Sequence, residues 1–352
     1  MEEKINEVLN ALKKVIDPEL GRDIVSLGMV NDVKVCDEAV SFKFTLTTPL
    51  CPLKDKLKRE AEEAVSSLPW VKSVKVVMDA NVKTKTLIPE KRIKGVKHVI
   101  AIVSGKGGVG KSTVAINLAL AFKSFNSSVG LLDGDVYGPT LSIIGKTKAP
   151  PLVNEEEKII PPLYYGIPIL SIGFMTNPDQ AIIWRGPIVH TAYRQMLFDV
   201  EWGELDYLIV DLPPGTGDPL ISITDLVELS GSILVTTPQD VSVSDVRRAG
   251  NFLKKVNVPV LSVVENMSEF ICPHCGKSSK LFSGSGGEIL SKEFGIDEYI
   301  KIPFDPLISE YSEKGEPYFE KIKDSPSKEA FKKLAQKTAS KISVITLKNT
   351  FL

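Results

Sequence analysis

Ser104–Ala119 reads SGKGGVGKSTVAINLA. Gly105, Gly110, Lys111 and Ser112 meet the spacing G-x-x-x-x-G-K-[ST], directly after the apolar run HVIAIVS and directly before the helical run STVAINLALAF. A strand, a glycine-rich turn and a helix in that order form a phosphate cradle. Gly105, Gly107, Gly108 and Gly110, with Lys106 and Val109 between them, let backbone N–H groups approach an anion. The helix N-terminus adds favourable partial charge. Lys111 reaches the β- and γ-phosphates, the Ser112 hydroxyl is a candidate magnesium ligand, and Thr113 completes the loop. Lys106 is a second lysine at a position where the motif requires none.

Six further apolar runs follow the same plan: VGLLDGD, IPILSIG, YLIVDLP, SILVTTP, VPVLSVV and EYIKIPF. Near-continuous apolar strands alternating with helical patterns predict an α/β fold, a mostly parallel sheet covered by helices on both faces. Ligands in such a sheet sit beyond the carboxyl ends of the strands. YLIVDLPPGTGD ends a strand on Asp211, suited to hold magnesium through water, and Gly215 and Gly217 follow in a loop able to respond to the γ-phosphate. LLDGDVYGPT offers Asp133 and Asp135 at the same edge, where a carboxylate can orient an attacking water.

The chain has 352 residues, 43% of them hydrophobic and 25% charged, with a formal net charge of -1. That length predicts two domains or so. A near-neutral chain has no global field to attract nucleic acid or an anionic membrane, so neither is an expected partner. No apolar run reaches the ~18 residues of a membrane span, and the acidic, amphipathic MEEKINEVLNALKK is unlike a secretory signal, so the expected location is cytoplasmic. The four cysteines are Cys36, Cys51, Cys272 and Cys275. In a reducing compartment the close pair indicates metal or redox chemistry before a structural disulfide.

Residues 1–82 form a small α/β domain: a helix with Ile5, Leu9, Leu12 and Ile16 at helical spacing, the alternating strand AVSFKFTLT, a second helix after Cys51-Pro52, and the strand VKSVKVVM. The polar, basic segment 83–96 is a linker, and 97–352 is the nucleotide domain, its charged tail helix near Ser327–Ile342 packing on the last sheet face. ENMSEFICPHCGKSSKLFSGSGG, following VPVLSVV, brings Cys272 and Cys275 to the functional edge. Their spacing suits zinc, an iron–sulfur cluster or a dithiol, and C-P-x-C-G by itself is common in zinc sites. His274 lies between them, where a histidine more often faces solvent than serves as a third ligand. Two sulfurs make half of a four-thiolate site, and a second subunit would most simply supply the other half.

GKGGVGKST resembles the deviant Walker A loop of the ParA/MinD/nitrogenase iron protein class. In that class the early lysine, here Lys106, crosses a two-fold interface to the partner subunit's nucleotide. The resemblance implies a homodimer using ATP and Mg2+, with Lys106, Lys111, Asp135 and Asp211 as catalytic residues. It also implies that Asp211–Asp218 is a switch and that Asn266 reads the adenine. The series GKGGVGKST, DGDVYGPT, DLPPGTGD, TTPQDVSVSDVRRA, VVENMS, CPHCG and LFSGSGG, spanning about Lys97 to Phe319, resembles the Mrp/ApbC iron–sulfur cluster carrier ATPases. That family implies a bridging [4Fe-4S] cluster on Cys272 and Cys275, passed to apo iron–sulfur proteins after loading by cluster donors. DPELGRDIVSLGMVNDV with TLTTPLCPLKDKL resembles the small iron–sulfur assembly domain fused to such carriers, and Cys51 matches its single cysteine. Pro52 suits a first helical position, which would place Cys51 at a helix N-terminus as a candidate reactive thiol. Leu50 is bulkier than the small residue expected there. Cys36 is assigned a structural role. The alternative is a ParA/MinD-like positioning ATPase with structural zinc.

Overall fold

A computed structural model describes residues 2–82, 89–147, 149–176 and 186–350. The chain divides into two compact units, Met1–Lys85 together with Ala339–Leu352, and Thr86–Thr338. In the first, the antiparallel pair Val30–Cys36 and Ala39–Leu46 is joined by Ser73–Ala80, which runs parallel to Ala39–Leu46. A parallel neighbour requires a crossover, and helix Lys54–Ser66 provides it. Val40, Phe42, Phe44 and Leu46 face the core in alternation, against Val8 and Leu12 of helix Glu2–Leu12 and Leu57, Ala61 and Val65 of the crossover helix. The first helix stops at Leu12; Ile16 lies in a two-residue strand and is 48% exposed, so the expected stripe is one residue too long.

The second unit is built on a nine-stranded sheet. Its parallel strands are β1 (Val96–Ser104), β2 (Val129–Asp133), β3 (Ile167–Ser171), β4 (Leu205–Asp211), β5 (Gly231–Thr236), β6 (Val260–Ile271) and β7 (Ile300–Phe304). They lie in the order β3-β2-β4-β1-β5-β6-β7, and short antiparallel strands Leu163–Tyr164 and Ser278–Ser279 pair with β3 and β6. Each expected apolar run is a strand. Val99, Ala101 and Val103 of β1 join Val189, Tyr193, Val246 and Leu253 in one core, while Ile100 and Ile102 alternate to the other face. Helix Lys111–Ser124, buried on nearly every side, packs against β1, β2, β3 and β4 on that other face.

Two boundaries differ from expectation. Lys83–Ile88 of the linker lies outside the described residues, but Pro89–Lys91 is a 3-10 turn and Ile93 is 5% exposed within the core of the second unit. A polar, basic stretch conceals that one apolar anchor. The tail helix runs Pro326–Thr350, and its residues from Ala339 belong to the first unit, not to a domain reaching 352. A helix with apolar residues on several faces gives no sign of which core each turn enters. Among the described residues no helix is long and apolar enough to cross a membrane.

Candidate functional site: a phosphate loop and a cysteine hairpin on one sheet edge

The phosphate loop leaves β1 and enters helix Lys111–Ser124 through Gly110, whose φ of 81° and that of 80° at Gly108 belong to the left-handed region that favours glycine. Gly105 is required by crowding: a Cβ there would stand 2.2 Å from the backbone nitrogen of Val246, on helix Asp240–Lys255. Lys106 is half-buried, and among the described residues it forms no ion pair. The Ser104 hydroxyl donates to its carbonyl at 3.2 Å.

Strand register assembles the carboxylates. Asp211 at the end of β4 stands level with Ile102 of β1 and Asp133 of β2, and Asp133 stands level with Ser171 of β3. The Lys111 ammonium donates to Asp211 Oδ1 at 2.6 Å and lies 3.7 Å from Asp135 Oδ2. Asp211 is fully buried; desolvation raises its pKa, while the Lys111 charge and the Lys111 and Ser112 side chains pull it down. Its Oδ2 is buried without a hydrogen-bond partner among the described residues, which fits a carboxylate awaiting a metal-bound water. Asp133 is a brace: it accepts from the Ser171 hydroxyl at 2.8 Å and the backbone N–H groups of Leu141 at 2.9 Å and Asp135 at 3.2 Å. Burial, then the Asp211 charge, push its pKa up. Asp135 keeps Oδ2 toward Lys111 while Oδ1 accepts from the Gly138 N–H at 3.1 Å. The Gly215 N–H donates to the Ser104 carbonyl at 2.9 Å, tying the Asp211–Asp218 loop to the phosphate loop.

Three features escape the sequence pattern. Tyr193, on helix Gly186–Phe198, is fully buried and donates its hydroxyl to the Gly134 carbonyl, fixing the loop that carries Asp133 and Asp135. No spacing rule links these positions. Thr237 Oγ1, Gln239 Oε1 and Ser268 Oγ are buried without partners among the described residues, on the loop after β5 and in β6. TTPQD was visible as a motif, but its orphaned polar atoms, fit for a polar ligand such as a nucleobase, become visible only on folding. Finally, Asn266 is buried and donates Nδ2 to the Val109 carbonyl at 2.9 Å, so one end of the expected adenine reader clamps the phosphate loop.

Cys272 and Cys275 lie beyond β6 in a hairpin closed by Cys272 N–H to Lys277 carbonyl at 3.0 Å, Gly276 N–H to Cys272 carbonyl at 2.9 Å, and the pairing of Phe270 and Ile271 with Ser279 and Ser278. Cys275 is exposed and Cys272 half-buried. The backbone N–H groups of His274 and Cys275, with the Cys275 thiol, hold the Cys272 thiol below its ordinary value. His274 is exposed, and among the described residues no group of three or more His, Cys, Asp or Glu converges on a point. One subunit therefore offers two thiolates. Beside the hairpin an apolar cavity of about 380 Å³ is lined by Phe270, Pro273, Phe304, Leu307 and Pro326.

Cys51 departs from expectation. Its helix begins at Lys54 with Leu53 as N-cap, so Cys51-Pro52 precedes the first turn instead of occupying it. Burial, with smaller contributions from Glu19 and Asp17, pushes the thiol up to about 11 against the pull of the Leu53 N–H. A low-pKa thiolate is thus not what this fold supports. Alkylation of Cys51 at neutral pH is expected to run about a hundredfold slower than that of an ordinary thiol and to accelerate as pH rises toward 11. Peptide mapping after an iodoacetamide time course measures it, and Cys36, exposed at a strand end, provides the internal comparison.

The family described as NUBPL iron-transfer P-loop NTPase matches residues 95–339, and the family described as iron–sulfur cluster assembly protein matches residues 5–76. An "Iron-sulfur cluster carrier protein" of Deinococcus radiodurans is 41% identical over 341 residues, covering 97% of this chain and 96% of its own. An "Iron-sulfur cluster transfer protein NUBPL" of Dictyostelium discoideum is 44% identical over 255 residues, covering 72% of this chain and 79% of its own. A solved nucleotide-binding protein from Archaeoglobus fulgidus, in complex with ADP and containing Co, superposes with a TM-score of 0.57 at 35% identity over 64% of this chain and 90% of that one.

Proposed function

Because the chain belongs to the NUBPL iron-transfer P-loop NTPases and opens with an iron–sulfur cluster assembly domain, we propose that it is an ATP-dependent carrier that binds a [4Fe-4S] cluster across a homodimer and hands it to apo iron–sulfur proteins. The observation that carries this reading is the accessible Cys272/Cys275 pair, with no further ligand beside it among the described residues, on the same sheet edge as the phosphate loop. Two such pairs give the four thiolates of a cluster. A dimer closed through Lys106 brings a cation to the opposite nucleotide only when both subunits are engaged, which ties hydrolysis to dimer geometry.

Within each subunit Lys111 moves from the Asp211 and Asp135 carboxylates to the more highly charged phosphates, and Asp135, released from that pairing, orients the attacking water. Ser112 and Asp211 are the residues that would hold Mg2+, which neutralises phosphate charge. Asn266, Thr237 and Gln239 stand on the edge where the base would lie. The test is anaerobic transfer from the loaded carrier to an apo-ferredoxin. Acceptor activity is expected to appear several-fold faster with ATP than without. If the protein instead retains tight zinc and accepts no cluster, the positioning ATPase becomes the better account.

A further inference from the structure

Strand β6 serves both sites. Asn266 lies against the phosphate loop: its Nδ2 is bonded to the Val109 carbonyl and stands 2.3 Å from where a Cβ on Gly110 would be. The same strand continues into Phe270 and Ile271, which open the cysteine hairpin. Between them the strand is irregular. Against β7, Asn266 pairs with Ile302 and Phe270 with Phe304, so three residues of β6, Met267, Ser268 and Glu269, lie opposite the single Pro303 of β7. Met267, at the start of this bulge, has φ of 54°, a left-handed conformation rare for a long side chain within a strand. Its Cε would stand 3.7 Å from a Cβ built on Gly110, so its side chain lies on the phosphate-loop side of the strand. Ser268, the next residue, is buried and its hydroxyl has no partner among the described residues.

We infer that Asn266 and Met267 are positioning residues that carry the state of the phosphate loop along β6 to Cys272 and Cys275, the bulge being the element that shifts. This rests on the reading of Gly105–Thr113 as the nucleotide loop and of the cysteine pair as the cargo site. Regular strand transmits displacement poorly because its ladder is anchored on both sides, as β6 is by β5 up to Glu265. Beyond Asn266 that anchoring lapses: register with β7 is lost until Phe270, and the surplus backbone has room to redistribute. Phosphate binding draws the Val109 and Gly110 backbone toward the anion. Asn266 follows through its hydrogen bond, and Met267 follows Asn266 along the backbone. Strain held at a non-glycine left-handed residue, together with the unpaired Ser268 hydroxyl, leaves this segment poised between arrangements.

The experiment uses the full-length, cluster-free, reduced protein and reads the alkylation rates of Cys272 and Cys275 with no nucleotide, with ADP and with a non-hydrolysable ATP analogue. The parent is expected to show a change of about fivefold or more in these rates on analogue binding. Met267→Gly, which relieves the left-handed strain and removes the side chain beside Gly110, is expected to cut that change to under about twofold, read with the analogue at saturation for each protein. Met267→Leu, which keeps the bulk, is expected to retain the response. Equal responses in the parent and Met267→Gly overturn the inference, because shielding of the cysteines by dimer closure alone survives that substitution. A parent whose cysteine rates ignore the analogue, although it binds, overturns it as well. Because no iron enters the assay, failure of cluster binding leaves these outcomes unaltered, and the two readings are tested separately.

Discussion

Replacing Cys272 and Cys275 by alanine together is expected to take reconstituted cluster content from about one [4Fe-4S] per dimer to none, while nucleotide binding persists. The expectation rests on ligand supply. Each subunit presents two thiols on an exposed hairpin, and among the described residues no third His, Cys, Asp or Glu approaches them. On the proposed reading four ligands are shared between two chains, so losing both cysteines of a chain removes its whole contribution. Iron and sulfide analysis with absorption after anaerobic reconstitution gives the count, and size-exclusion of the parent before and after loading tests whether the cluster holds the dimer. The hairpin is closed by its own backbone hydrogen bonds, so removing the sulfurs should leave the fold intact. Retention of cluster by the double variant would place the cargo elsewhere.

Lys106→Ala is expected to lower ATP turnover by about a thousandfold with ATP affinity nearly unchanged, the size of effect seen when a cation supplied in trans is removed from a phosphoryl-transfer site. Lys111→Ala, by contrast, removes the lysine that sits 2.6 Å from Asp211 and should abolish nucleotide binding itself. The pair gives a decisive complementation. On the proposed homodimer reading, a mixture of the two variants gives heterodimers in which the intact phosphate loop of the Lys106→Ala chain receives Lys106 from the other chain. Statistical mixing predicts recovery to about a quarter of parental turnover, since about half the dimers are mixed and each has one working site of two. No recovery would mean that Lys106 acts on its own subunit's nucleotide or not at all, and would remove the coupling between hydrolysis and dimer geometry.

How much was legible beforehand followed the range of each signal. The phosphate loop, the seven parallel strands and the cysteine pair are local patterns, set by neighbours a few residues apart, and all three lie where the pattern put them. Asp211 was recognisable because a strand ending in aspartate is also local. Its orphaned Oδ2 was not, because that depends on the strands flanking it. Asn266 acquired its hold on Val109 across 157 positions of chain, and Tyr193 its hold on Gly134 across 59. Cys51 shows the opposite failure. Pro52 looked like a helix start, yet the helix begins at Lys54 and the thiol is buried enough to lose its acidity.

By itself the sequence determined the strand-loop-helix chemistry of Gly105–Thr113, the alternation that makes a parallel sheet, and the two sulfurs of Cys272 and Cys275, because each is a matter of residue type at short spacing. Only the tertiary structure decided which carboxylates meet Lys111, that Asp133 braces while Asp211 and Asp135 face the cradle, and that Ala339–Leu352 belongs with the first unit. It also decided that β6 runs from the phosphate loop through a strained Met267 to the cysteines. The physical reason is common to all of these: burial, register and crowding are set by strands that pair across the chain. No window of local sequence contains both partners.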